Sequence, residues 1–139
     1  MNQTERQTKK ILVVEDDQNV ALGLAIRLKH SGYEVTLASD ALSGLETAMK
    51  TRPDLVLLDI SLPGGNGFTV AERIRALLPI TTPTIFLTAS KQPGLREKAR
   101  ELGAAGFFQK PYESEDLLAA IRLALAGPTE EEEHRVYVL

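Results

Sequence analysis

The sequence predicts an α/β protein, a single three-layer (βα)5 domain on a doubly wound parallel sheet with strand order 2-1-3-4-5. Three observations lead there. Five short strand-like segments alternate with five stretches of helical periodicity. Two of those segments, Ile11-Leu12-Val13-Val14 and Leu55-Val56-Leu57-Leu58, are apolar without interruption, as strands covered by helices on both faces are. Both also run directly into acids, Glu15-Asp16-Asp17 and Asp59, at the strand ends where open α/β sheets gather their ligands.

Residues 1–8 are polar and are expected to form a disordered leader. The domain begins at residue 9, and the first strand is followed by a helix to about Ser31, with Val20, Leu24 and Leu28 recurring at i, i+4 and i+8. Asp17 is expected to cap that helix rather than to bind a ligand, and Gly32 is placed to end it. Tyr33-Glu34-Val35-Thr36-Leu37 alternates apolar and polar residues, the pattern of a half-exposed edge strand. Asp40 is placed to cap a second helix whose Leu42, Leu45 and Met49 share a face, and Pro53 separates it from the strand ending at Asp59. Pro63, Gly64, Gly65 and Gly67 form a tight loop, with Asn66 positioned to cap a third helix that carries Ala71, Ile74 and Leu78 on one side. Pro79 and Pro83 bound its exit. Thr84-Ile85-Phe86-Leu87-Thr88 is the fourth strand. Residues 93–102 form a charged fourth helix with a thin stripe of Leu95, Ala99 and Leu102. Gly106-Phe107-Phe108 is a short fifth strand, followed by Gln109, Lys110 and Pro111. The last helix starts at Glu113 or Ser114, carries Leu118, Ile121 and Leu125, and stops at Gly127-Pro128.

The character of the strands orders the sheet. The first, third and fourth are central, whereas the second alternates and the fifth is short, which puts those two at the edges. Right-handed crossovers then give 2-1-3-4-5, with the switch point between the first and third strands. Two acidic strand ends become neighbours in space.

Composition narrows the function classes. At 139 residues the chain is one ordinary domain, with 43% apolar and 25% charged residues. A net charge of −3 gives no general affinity for nucleic acid or acidic membranes. There are no cysteines, which excludes disulfides and thiolate metal sites. The leader lacks the apolar centre of a signal peptide, and no stretch approaches the ~18 residues of a membrane span, so a cytoplasmic domain is expected. Residues 128–139 form an acidic tail, with Glu130 to Glu133 followed by the apolar Val136-Tyr137-Val138-Leu139.

At neutral pH, Glu15, Asp16 and Asp59 place about three negative charges in one crevice, an arrangement that calls for a cation. All-oxygen ligation suits Mg2+. Thr88 adds a hydroxyl at the end of the fourth strand, and Lys110 an ammonium at the end of the fifth. Carboxylates, hydroxyl, lysine and Mg2+ together make a phosphoryl-accepting site with an aspartate nucleophile.

The segments ILVVEDD, LVLLDISLPGGNGF, the Thr88-Ala89 pair and FFQKP, in that order and spacing, resemble the response-regulator receiver domain of two-component signalling. The resemblance covers about residues 10–126 and implies a flavodoxin-like fold. It implies that Asp59 is the phosphoacceptor, taking a phosphoryl group from a phosphohistidine of a sensor histidine kinase or phosphotransfer protein. Asp16, Asp59 and the backbone carbonyl of Ser61 match the Mg2+ ligands, with Glu15 acting through water. Thr88 matches the hydroxyl that bonds the phosphoryl group, Lys110 the ammonium, and Phe107 the aromatic switch residue. The resemblance also implies a cis peptide between Lys110 and Pro111. Output would be protein contact through the face of the fourth helix, fifth strand and last helix, by a monomer or weak homodimer that touches neither nucleic acid nor membrane directly. Catalysis would be limited to the domain's own phosphorylation and dephosphorylation.

The chain departs from the family's pattern at three places. Phe107 stands where many receivers have tyrosine, so an inward rotation acts by packing alone. Gly103-Ala104-Ala105-Gly106 lacks the acidic pair that winged-helix regulators use in their dimer contact. Ser61 and Ser90 are small and polar at positions that influence phosphoryl lifetime, and a short-lived phosphoaspartate is expected. The competing readings are an Mg2+ phosphohydrolase with an aspartate nucleophile, a nucleotide- or flavin-binding domain, and a receiver-like scaffold that never takes phosphate. Ser61 in place of a second acid counts against the first, and the acids after the first strand count against the second. The complete set of site residues counts against the third.

Overall fold

The computed structural model describes residues 8–78 and 82–127. In chain order its elements are β1 (Lys10–Val14), α1 (Gln18–His30), β2 (Glu34–Ala38), α2 (Ala41–Thr51), β3 (Leu55–Asp59), β4 (Ser61–Leu62), β5 (Gly65–Asn66), α3 (Gly67–Leu77), β6 (Thr84–Thr88), α4 (Leu95–Glu101), β7 (Gly106–Gln109) and α5 (Ser114–Ala126). The main sheet is parallel, in the order β2-β1-β3-β6-β7. Counting these five strands alone, that is the expected 2-1-3-4-5.

The uninterrupted apolar runs are split between two cores by the pleat, because successive side chains point to opposite faces. Leu12, Val14, Val56, Leu58 and Phe86 face α2, α3 and α4, packing with Ala48, Phe68, Ile74 and Ala99. Ile11, Val13, Leu55, Leu57, Ile85 and Leu87 face α1 and α5, packing with Leu24, Leu28, Leu118 and Ile121. Truncating one of these central leucines to alanine leaves a cavity and costs about 2–5 kcal/mol.

Local signals place the helix starts. Asp17 caps α1, its Oδ1 accepting from the N–H groups of Asn19 at 2.9 Å and Val20 at 3.1 Å. Asp40 and Ser43 cap α2 reciprocally, and the Ser43 backbone and side-chain donors hold the Asp40 carboxyl below its usual range. Asn66 caps α3 by accepting from the Thr69 N–H at 3.0 Å.

The structure departs from the sequence reading in four places. The inward face of α2 is not the Leu42/Leu45/Met49 stripe: Leu42 and Met49 are 67% and 49% exposed. Gly44 and Ala48 are buried instead, with Leu45 packed beside them, because these small residues let the helix approach the sheet closely. A Cβ on Gly44 would sit 3.0 Å from Val14 Cγ1. α4 begins at Leu95, not residue 93, because Gly94 is left-handed at φ 88° and ends the preceding turn. β2 is shifted one residue towards the C-terminus, and the loop after Asp59 contains a small antiparallel hairpin, β4–β5. Residues 1–7, Pro79 and residues 128–139, where the leader, one helix exit and the tail were expected, lie outside the described residues. Among the described residues, no helix is long and apolar enough to cross a membrane.

Candidate functional site

The parallel register brings the acids together. Val14 lies beside Leu58 in the β1–β3 ladder, so the residues that follow, Glu15 and Asp59, emerge as neighbours at the carboxyl edge. Carboxylate oxygens of Glu15, Asp16 and Asp59 all lie within 4.8 Å of one another. Glu15 and Asp59 are only 3% and 6% exposed, whereas Asp16 faces solvent.

Lys110 arrives from the end of β7 and bridges the two buried acids. Its Nζ donates to Glu15 Oε1 at 2.7 Å and to Asp59 Oδ2 at 3.1 Å. Each carboxylate has its other oxygen on a backbone donor: the Ser61 N–H to Asp59 Oδ1 at 2.9 Å, and the Asp17 N–H to Glu15 Oε2 at 3.1 Å. Among the described residues, three carboxylates cluster and one ammonium, that of Lys110, pairs with two of them, so the crevice keeps an excess of negative charge.

The protonation equilibria follow. Burial pushes the Glu15 carboxyl above its usual range, and the charge of Asp59 adds to that, against the hydrogen bonds from Lys110 and Asp17. Burial alone would lower the pKa of Lys110, but its hydrogen bonds to Glu15 and Asp59 outweigh that and hold it above the ordinary lysine range. The ammonium is therefore charged throughout the neutral range.

Thr88 is fully buried at the end of β6. Its Oγ1 accepts from the Ser90 N–H at 3.0 Å, which leaves the hydroxyl hydrogen for another acceptor. The hairpin after Asp59 is closed by Gly67, whose N–H donates to the Ile60 carbonyl at 2.7 Å. A Cβ on Gly67 would fall 2.4 Å from the Asp59 carbonyl oxygen, so only glycine fits. Phe107 lies half-buried on β7 with the guanidinium of Arg96, from α4, 4.8 Å above its ring centroid. The Lys110–Pro111 peptide is cis. An open cleft of about 540 Å³ runs beside the acids, bordered by Asp16, Ser61, Phe68, Gln92 and Leu95.

Of the residues singled out from sequence, Glu15, Asp16, Asp59 and Lys110 form one cluster. Ser61 contacts Asp59 through its N–H. Thr88 lies at the end of the neighbouring strand, two strands from β1. Phe107 stands in register beside Phe86, behind the crevice. Sequence reasoning missed Arg96 and Gln109, whose contacts depend on tertiary neighbours, and it assigned Gly67 to the loop without its close approach to Asp59.

The donor set fits Mg2+: it is all oxygen, carries surplus negative charge, and keeps one acid open to solvent.

Comparison with known proteins gives a consistent picture. The family model for the response regulator receiver domain matches residues 11–122. The chain is similar to the transcriptional regulatory protein DltR of Streptococcus agalactiae serotype III, with 43% identity over 114 residues, covering 82% of this chain and 50% of that protein. It is also similar to the response regulator ArlR of Staphylococcus saprophyticus, with 40% identity over 116 residues, covering 84% of this chain and 52% of that protein. The chain thus spans about half the length of the curated relatives it matches. Among solved structures, it resembles the CheY-like receiver domain protein from Methanospirillum hungatei JF-1, with a TM-score of 0.81, 29% identity, and coverage of 93% of this chain and 99% of that one. The non-phosphorylated HemR receiver domain from Leptospira biflexa gives a TM-score of 0.80 and 34% identity, with coverage of 88% and 98%.

Proposed function

The chain belongs to the response regulator receiver domain family, and from that premise we propose that it accepts a phosphoryl group on Asp59 and passes the signal on as a change of surface. The observation that carries the proposal is the acidic cluster of Glu15, Asp16 and Asp59, with Lys110 bridging its two buried members.

Asp16, Asp59 and the Ser61 backbone carbonyl would hold Mg2+, with Glu15 acting through water. Once bound, the ion supplies positive charge to the phosphoryl oxygens. Asp59 then attacks the phosphorus of a phosphohistidine on a sensor histidine kinase or phosphotransfer protein. A P–O bond to Asp59 forms, and the P–N bond breaks with its electron pair going to the ring nitrogen. The histidine leaves as neutral imidazole, the proton being the one its other ring nitrogen already carried. Lys110 holds the Asp59 carboxylate in place at rest and pairs with a phosphoryl oxygen afterwards. The Thr88 hydroxyl donates to another phosphoryl oxygen, and Phe107 repacks behind it. The readout is the face formed by α4, β7 and α5, which contacts a protein target; the domain acts in the cytoplasm and touches neither nucleic acid nor membrane itself. Its only catalysis is its own phosphorylation and the return hydrolysis, which the small Ser61 and Ser90 side chains make fast by admitting water.

The test is to expose the protein to a small phosphodonor, reduce it with borohydride, and locate the reduced acyl phosphate by peptide mass. Modification at residue 59 alone is expected. Modification elsewhere overturns the assignment, and steady phosphate release from simple phosphate esters favours a phosphohydrolase.

A further inference from the structure

We propose that Gln109 is a positioning residue for the Thr88 hydroxyl, an inference that rests on the phosphoacceptor reading and extends it. Thr88 is fully buried, and its Oγ1 orientation is set by the Ser90 N–H it accepts at 3.0 Å. The donor therefore has to be held still. Two further contacts do so. The Gln109 Nε2 donates to the Ser90 carbonyl at 3.2 Å, reaching across from β7, and the Gln92 N–H donates to Ser90 Oγ at 3.2 Å. Next to Gln109, the Lys110 N–H donates to the Thr88 carbonyl at 2.7 Å.

Consecutive residues of one strand end thus brace the Thr88–Ser90 segment at two points, one through the backbone and one through a side chain. The Lys110 side chain goes instead to Glu15 and Asp59. The ammonium and the hydroxyl that serve the two sides of a transferred phosphoryl group are carried on one frame, and Gln109 is the side-chain link within it. The link needs a donor at position 109. The Ser90 carbonyl only accepts, so glutamate there would oppose one acceptor with another, and leucine would keep the bulk without the bond.

The test is a series of three variants, Gln109→Leu, Gln109→Glu and Gln109→Lys, each phosphorylated with acetyl phosphate and Mg2+. Gln109→Leu and Gln109→Glu should lower the rate at saturating donor by roughly two- to tenfold, the range for one net hydrogen bond. In Gln109→Leu, which changes no charge, half-saturating donor concentration and Mg2+ affinity should stay at parent values. Gln109→Lys, which restores a donor of similar reach, should recover most of the rate. The Ser90 amide should exchange its hydrogen faster in Gln109→Leu than in the parent. Equal rates for parent and Gln109→Leu, or a Gln109→Lys as slow as Gln109→Leu, overturn the proposal. A parent that takes up no phosphoryl group overturns the phosphoacceptor reading by itself. Ser90 exchange, which needs no phosphoryl chemistry, then decides the bracing separately, and an unchanged exchange rate overturns it.

Discussion

Glu15 shows how the crevice stores electrostatic stress. It is buried, faces Asp59, and has its carboxyl pushed above the ordinary range. In the window between the unfolded value, about 4.3, and the raised folded value, the folded state binds more protons than the unfolded one. Ionised Glu15 therefore destabilises the fold at neutral pH, and the penalty disappears as pH falls below the unfolded value. Glu15→Gln should accordingly melt higher than the parent at pH 7 in metal-free buffer, with the gain shrinking towards pH 4. Thermal unfolding in the presence of a chelator checks this, and a gain that grows on acidification contradicts it. Lys110 has the opposite sign: its raised pKa contributes stability that is complete below about 10.4 and is lost only as pH rises through the folded value. Mg2+ should raise the parent's melting temperature, by about 2.7 kcal/mol of stability at a hundred times its dissociation constant. It should raise that of an Asp16→Ala variant much less. Equal shifts would place the ion elsewhere.

At the level of elements, the β4–β5 hairpin and α4 behave differently. The hairpin itself is largely exposed, but it leads into Gly67, and the atoms facing Gly67 are backbone atoms of Asp59 and Ile60 that cannot swing aside. Gly67→Ala should cost about 1–3 kcal/mol in denaturant unfolding and slow phosphoryl uptake, because the shift passes directly to Asp59. Unchanged stability and uptake would contradict that coupling. The α4 helix is seven residues long and has one fully buried residue, Ala99. Cationic contacts add to the packing of Leu95, Ala99 and Leu102: Arg96 over Phe107 at 4.8 Å, Lys98 over Phe68 at 5.3 Å, and Arg75 of α3 donating to the Leu102 carbonyl. Arg96→Ala should cost about 0.5–1 kcal/mol and make the α4 amides exchange faster than those of α3. A variant as stable as the parent, with unchanged exchange, would remove Arg96 from the attachment. The helices were legible from periodicity and caps, since Asp17, Asp40 and Asn66 all cap as their positions suggest. The buried face of α2 was not legible that way. A periodic stripe of Leu42, Leu45 and Met49 competes with one of small residues, and the close approach of Gly44 to Val14 decides between them only in three dimensions. The cationic attachment of α4 was equally hidden, because its aromatic partners lie on other elements.

Across the whole molecule, the switch point joins fold to function. The character of each strand marked which were central and which were edges, and that order alone brings Glu15 and Asp59 together. The clustering of the acids was therefore readable. The backbone donors from Ser61 and Asp17, and the brace from Gln109, were not, because they depend on the conformations that loops adopt at the sheet edge. In the proposed function this crevice accepts a phosphoryl group on Asp59. The most direct measurement is intact mass after incubation with acetyl phosphate, with and without Mg2+, beside Asp59→Ala. One added phosphoryl group on the parent, absent without Mg2+ and absent in Asp59→Ala, is the predicted result. No adduct on the parent at any quenched time, or an adduct that survives in Asp59→Ala, would contradict it.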